Sequence, residues 1–206
     1  MKKIYIIEGI DGCGKDFVKD CLVKLFDEKS ETVSVFREPD GHFRSILKDS
    51  VGKLPMMDEY MTMWIGRFVL WLNQIVPDKT HDHVIINRSY PSTYAYQIEG
   101  RGLGEYRQSF FFWKKQLLSM VQESGVEVHH IYLRTDVKVS LERIGKRAGG
   151  ELEHFEEETF LKRTKSGYDL FYGDKGNFAI NEHVHVIDAN QGKDDVFAQV
   201  RGALGL

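Results

Sequence analysis

An α/β fold, with a five-stranded parallel sheet and helices on both of its faces, is the architecture that this chain predicts. Three observations carry that expectation. Short apolar runs bounded by turn residues alternate with longer stretches of helical period, which is the pattern of β–α–β units. No segment repeats, and none is of low complexity. The 206 residues, 42% hydrophobic and 12% aromatic, suffice for one packed domain.

The elements follow in order along the chain. Residues 3–8 (KIYIIE) are apolar and end at a glycine, so they read as a first buried strand and not as a signal peptide. Residues 15–28 carry a helical stripe of Phe17, Cys21, Leu22, Leu25 and Phe26. Strands are predicted at 32–37, 83–88, 127–134 and 183–188, where β-branched and aromatic residues concentrate. Helical period marks 42–50, 57–76, 104–122, 135–147 and 156–172. The final helix, 193–204, repeats the stripe as Val196, Val200 and Leu204. The aromatic run Phe110-Phe111-Phe112-Trp113 is expected as a buried helix face or a subunit contact. The stretch from Gly145 to Glu158, rich in glycine and charge, is expected as an exposed flap.

Composition narrows the function. A formal net charge of −3 supplies no basic field for nucleic acid, and no apolar stretch is long enough to span a membrane. Cys13 and Cys21 are too far apart across a loop and a helix for a disulfide, so a reduced, cytoplasmic setting is expected. His129, His130, His183 and His185 lie in strand-like runs and are read as core or edge residues rather than metal ligands.

Residues 9–16, GIDGCGKD, stand directly after a predicted strand and directly before a predicted helix. Gly9, four residues, then Gly14-Lys15 is the spacing of a phosphate-binding loop in its required context. Such glycines let successive N–H groups of Gly9, Ile10, Asp11, Gly12, Cys13 and Gly14 turn toward phosphates. The helix end adds partial positive charge, and Lys15 reaches the outer oxygens. Where a serine or threonine usually follows the lysine to ligate magnesium, this chain has Asp16. A carboxylate also binds Mg²⁺, so Asp16 is the candidate metal ligand.

Further motifs resemble the thymidylate kinase family over nearly the whole chain. They are the Gly-Ile-Asp-Gly opening, Arg37 to Gly41 (REPDG), and Asn87 to Leu103 (NRSYPSTYAYQIEGRGL), in which Arg88, Ser92, Thr93, Ala95, Tyr96, Gln97 and Gly-Arg-Gly-Leu match in register. The resemblance implies a P-loop NTPase three-layer fold with a mobile lid at about 143–155. It also implies phosphoryl transfer from ATP, with Mg²⁺, to a deoxynucleoside monophosphate, most simply dTMP to dTDP. A homodimer through the helices around 42–76, with Trp64 and Trp71 on the long one, is implied as well.

Residue roles follow from the same resemblance. Asp11 is expected to hold the acceptor sugar, and Arg88 the acceptor phosphate with Arg37 beside it. Tyr96 favours deoxyribose, with Gln97 as a neighbouring substrate contact. Two strand-end guanidiniums make chemical sense as a phosphate clamp independently of the family. Glu38 is either a catalytic-side carboxylate or the ion-pair partner of one of these arginines. On the long helix Arg67 is expected at the base, with Trp64 stacking because Met63 holds the family's aromatic position. Arg143 and Arg147 on the flap are the candidate catalytic arginines, since the loop itself carries none. Asn87 replaces the family's aspartate just as Asp16 appears, as though one carboxylate had crossed the site; loss of both ligands is the competing reading. A deoxynucleoside kinase, suggested by Arg88-Ser89, and a nucleotide-binding regulatory module with little catalysis remain the rival functions.

Overall fold

The computed structural model describes residues 2–50, 54–122, 125–148 and 156–206. Five strands form one sheet: β1 (Lys3–Glu8), β2 (Val33–Arg37), β3 (His83–Asn87), β4 (Glu127–Arg134) and β5 (Glu182–Asp188). Their order is β2-β3-β1-β4-β5, and every pairing is parallel. Ile4, Ile6 and Ile7 of β1 and Val84, Ile85 and Ile86 of β3 are almost wholly buried. A parallel sheet covered on both faces demands such continuous apolar runs.

Helices α1 (Lys15–Glu28), α2 (Gly41–Ser50), α3 (Met56–Leu70), α4 (Tyr90–Thr93), α5 (Arg107–Gln122), α6 (Val137–Ala148), α7 (Glu158–Gly173) and α8 (Lys193–Leu204) complete the fold. Phe26 of α1 packs on Tyr5 and His83 of one face. On the other face Tyr168 and Tyr172 of α7 stack on Tyr132.

The sequence-derived strands agree with these bounds to within one residue. Two features were not anticipated. The helix expected to run to 76 changes to wide π-type turns at Trp71–Ile75, and the 90–100 segment is helical, α4 continuing as a π-helix over Tyr94–Gly100. Read as a motif, that segment hides its helix behind aromatics, Ser92 and Thr93, which have little intrinsic helical preference. Tertiary packing decides instead. Gly167 of α7 lies so close that a Cβ there would stand 2.9 Å from the Ala95 Cα.

The candidate active site

Parallel pairing sets the carboxyl ends of the strands side by side: Ile7 pairs with Asn87, which also pairs with Arg37. Ligands bind at this edge of open α/β sheets. The loop after β1 takes its shape from glycine. Gly9 has φ 144°, and a Cβ there would stand 2.7 Å from both Cys13 Sγ and the Leu133 carbonyl oxygen. Gly14, at φ 102°, opens α1.

Lys15, 8% exposed, donates from Nζ to the carbonyls of Gly9 (2.9 Å) and Ile10 (2.8 Å). Burial, and then the nearby Arg88, pull its pKa down. Arg88 Nη1 approaches the same Gly9 carbonyl at 3.5 Å, while Nη2 pairs with Asp11 Oδ1. Tyr96 donates its hydroxyl to the other Asp11 oxygen at 2.8 Å, and its ring lies 4.9 Å from the Arg88 guanidinium. Burial alone would raise the Asp11 carboxyl, but Arg88, Lys15 and these hydrogen bonds hold it at about 2. Asp11 is therefore an anion fixed between two cations.

Beneath this cluster lies a residue that the sequence reading passed over. Glu8, fully buried at the end of β1, accepts from the Ser89 N–H (2.6 Å), the Ser92 hydroxyl (2.6 Å) and the Tyr168 hydroxyl (2.8 Å). It ties β1, the start of α4 and α7 into one frame that supports Arg88. Its signal was a charged residue ending an otherwise apolar strand, immediately before the loop.

Beside the loop opens a cavity of about 300 Å³. Asp11, Arg37, Glu38, Arg67, Arg88, Tyr96 and Gln97 line it, so most of the expected acceptor residues do come together. Met63 also lines it, as do Arg44 and Glu59, which had not been singled out. Glu38 pairs with neither strand-end arginine. It accepts from Arg67 Nε (2.5 Å), Trp71 Nε1 (2.7 Å) and the Ser89 hydroxyl (3.1 Å), with its pKa pushed up by burial.

Arg67 also donates to Thr93 Oγ1 at 3.0 Å, and its buried Nη1 has no hydrogen-bond partner among the described residues. Trp64 needs correction as the stacking residue. It is 1% exposed, packs on Tyr60 and Phe110, and supports the Arg67 guanidinium 4.7 Å from its ring; Met63 faces the cavity instead.

On the loop's other side, Arg143 of α6 donates to the Ala189 (2.8 Å) and Gln191 (2.9 Å) carbonyls. With Cys13, Gly14, Phe17 and Lys193 it borders a recess of about 60 Å³. The Arg147 side chain and residues 149–155 of the expected lid lie outside the described residues. Asp16, with 71% of its side chain exposed, accepts from Asn87 Nδ2 at 2.7 Å. Asn87 Oδ1 is buried without a partner among the described residues. Cys13 and Cys21 are unpaired.

The chain is similar to known proteins over most of its length. The family model described as thymidylate kinase matches residues 7–200. A thymidylate kinase of Francisella philomiragia subsp. philomiragia is 29% identical over 212 residues, covering 99% of this chain and 98% of that protein. One from Bacillus cereus is 30% identical over 178 residues, covering 82% and 83%. The matched span takes in the phosphate loop, the Arg37 and Arg88 strand ends and the cavity between them, and the chain belongs to the thymidylate kinase family.

Proposed function

We propose that this chain transfers the γ-phosphoryl group of ATP to the phosphate of thymidylate, releasing dTDP and ADP. One observation carries the reading beyond family membership: the Lys15 ammonium and the Arg88 guanidinium converge on a single oxygen, the Gly9 carbonyl. Arg88 pairs with Asp11, while the Lys15 ammonium is held by neutral carbonyls and can meet phosphate charge. Phosphates on the loop side meet Lys15, and an acceptor phosphate from the cavity side meets Arg88. The two substrates are thereby brought end to end, and phosphoryl transfer asks chiefly for positioning and charge stabilisation.

Around the acceptor, Asp11 takes the sugar hydroxyl, and Tyr96, locked onto Asp11, fills the space beside it. The unpartnered Arg67 Nη1 offers a donor to a base carbonyl, with Met63 and Gln97 as walls. Arg143, fixed by two carbonyls beside the small recess, serves the donor base rather than the transferred group. Ser89 is 1% exposed and bonded to Glu38, which makes it part of the frame rather than a mark of a nucleoside kinase. ADP release measured across the monophosphates and free nucleosides tests the assignment. dTMP should exceed every other acceptor by at least about tenfold in kcat/KM. Preference for thymidine itself, or no turnover with any acceptor, overturns it.

Magnesium fits the residues at the loop. Asp16 and the buried, unpartnered Asn87 Oδ1 are hard oxygen donors of the kind Mg²⁺ selects. Bound there with ATP, the ion neutralises charge on the phosphates. Asp16→Ala is expected to lose about tenfold or more in kcat and to require more Mg²⁺. Asp16→Thr should recover ordinary behaviour only when combined with Asn87→Asp. Because the two side chains touch at 2.7 Å, their effects should be non-additive by about 1 kcal/mol or more. Simple additivity, with Asp16→Thr faster than wild type, means that Asp16 impairs the site.

The homodimer rests on α3 and the turn after it. Trp64 and Trp71 cannot form the contact, being buried, but Ile65 (51% exposed), Val69 (42%) and Leu72 (50%) line one helix face. With Phe68 and Trp113 they border an apolar groove. The protein should be a dimer by light scattering at micromolar concentration, and Ile65→Asp with Leu72→Asp should convert it to monomer. Among the described residues no helix is long and apolar enough to cross a membrane. The unpaired cysteines support a reducing, cytoplasmic setting.

A further inference from the structure

The far end of the sheet, at the amino ends of β4 and β5, holds a second cluster of ligating side chains that the nucleotide site does not use. Glu127 and His129 are two residues apart on β4 and so share a face, and parallel register sets His129 beside His183 of β5. One ligand atom from each of Glu127, His129 and His183 lies within 4.8 Å of the other two. His129 Nε2 is 3.4 Å from Glu127 Oε2. Adjacent ligands on a tetrahedral zinc ion, with bonds of about 2.0–2.1 Å, stand about 3.3 Å apart.

The other ring nitrogen of His129, Nδ1, is 3.1 Å from His185 Nε2. That contact is of the kind that orients a metal-bound imidazole from behind. The His129 ring stacks on both partners, with centroids 4.9 Å from His183 and 5.4 Å from His185.

We propose that Glu127, His129 and His183 bind a divalent ion of the zinc or nickel class, with His185 as the positioning residue. Imidazole with one carboxylate suits such ions, whereas Mg²⁺ prefers oxygen alone. Lys3, whose ammonium lies 4.0 Å from Glu127, competes with the metal for that carboxylate. The Tyr5 ring, 5.4 Å from His129, closes the inner side. Since β5 is an edge strand, an ion here would pin it to β4 by side chains as well as by the backbone ladder.

Untagged full-length protein, stripped with chelator and titrated with Zn²⁺ and Co²⁺ at neutral pH, tests the site. One equivalent should bind with Kd of about 10 µM or tighter. Co²⁺ should show the visible absorption of a low-coordinate site, and a hundredfold excess of metal over Kd should raise Tm by about 5 °C. His183→Gln and Glu127→Gln should each weaken binding at least about tenfold, while Mg²⁺-dependent kinase activity and the Tm without metal stay as in wild type. Saturating ATP should not displace the ion. Variants that bind as well as wild type, displacement by ATP, or affinity weaker than about 1 mM overturns the assignment.

Discussion

Lys15→Met is expected to lower kcat by about a thousandfold or more, measured by ADP release at saturating ATP and dTMP. The size follows from what Lys15 does in this structure. Its ammonium is already positioned by the Gly9 and Ile10 carbonyls, and little reorganisation is needed when phosphate charge builds up beside it. A loss of three decades corresponds to about 4 kcal/mol of transition-state stabilisation. Methionine keeps most of the buried aliphatic volume, so an unchanged Tm separates lost chemistry from lost folding. Retention of more than about a tenth of the wild-type rate would remove the loop from the donor site.

The second large effect is expected at Arg88. Arg88→Ala should raise the dTMP KM by about a hundredfold and leave the ATP KM within about threefold. A buried guanidinium bound to a phosphate is commonly worth a few kcal/mol when removed. The split between the two substrates is informative because Arg88 and Lys15 share one carbonyl oxygen. An equal loss of ATP affinity places Arg88 on the donor side. The change also leaves Asp11 without its closest cation, so its carboxyl should titrate above the present value of about 2.

How much of this was legible in the residues depended on the range of the interactions. The strands and the phosphate loop are local patterns, and Ile4 to Ile7 or Gly9 to Lys15 announce themselves within a few positions. Arg37, Arg88 and Asp11 line one cavity because strand ends gather at one edge of a parallel sheet. Trp64 and Met63 were exchanged, because one residue on a helix is a 100° turn, and which side met the cavity depended on Phe110 and Tyr60.

Glu38 found Arg67, which is distant in sequence and invisible to any motif. The β4 and β5 histidines looked like isolated strand residues until pairing register put His129 beside His183. Side-chain partners across the sheet were thus the part that only three-dimensional pairing reveals.

Arg88 carries one further consequence, through its backbone. It sits at φ 68°, in the left-handed region where a side chain is costly and glycine is at ease. The fold thus tolerates a conformational debt at a position whose guanidinium lines the acceptor cavity. Arg88→Gly should therefore melt higher than Arg88→Ala, by about 1 kcal/mol in stability, although both are equally inactive. Selection for robustness alone would push this codon toward glycine, and selection for turnover holds it at arginine. Position 88 is where the two pressures on this protein can be measured against each other.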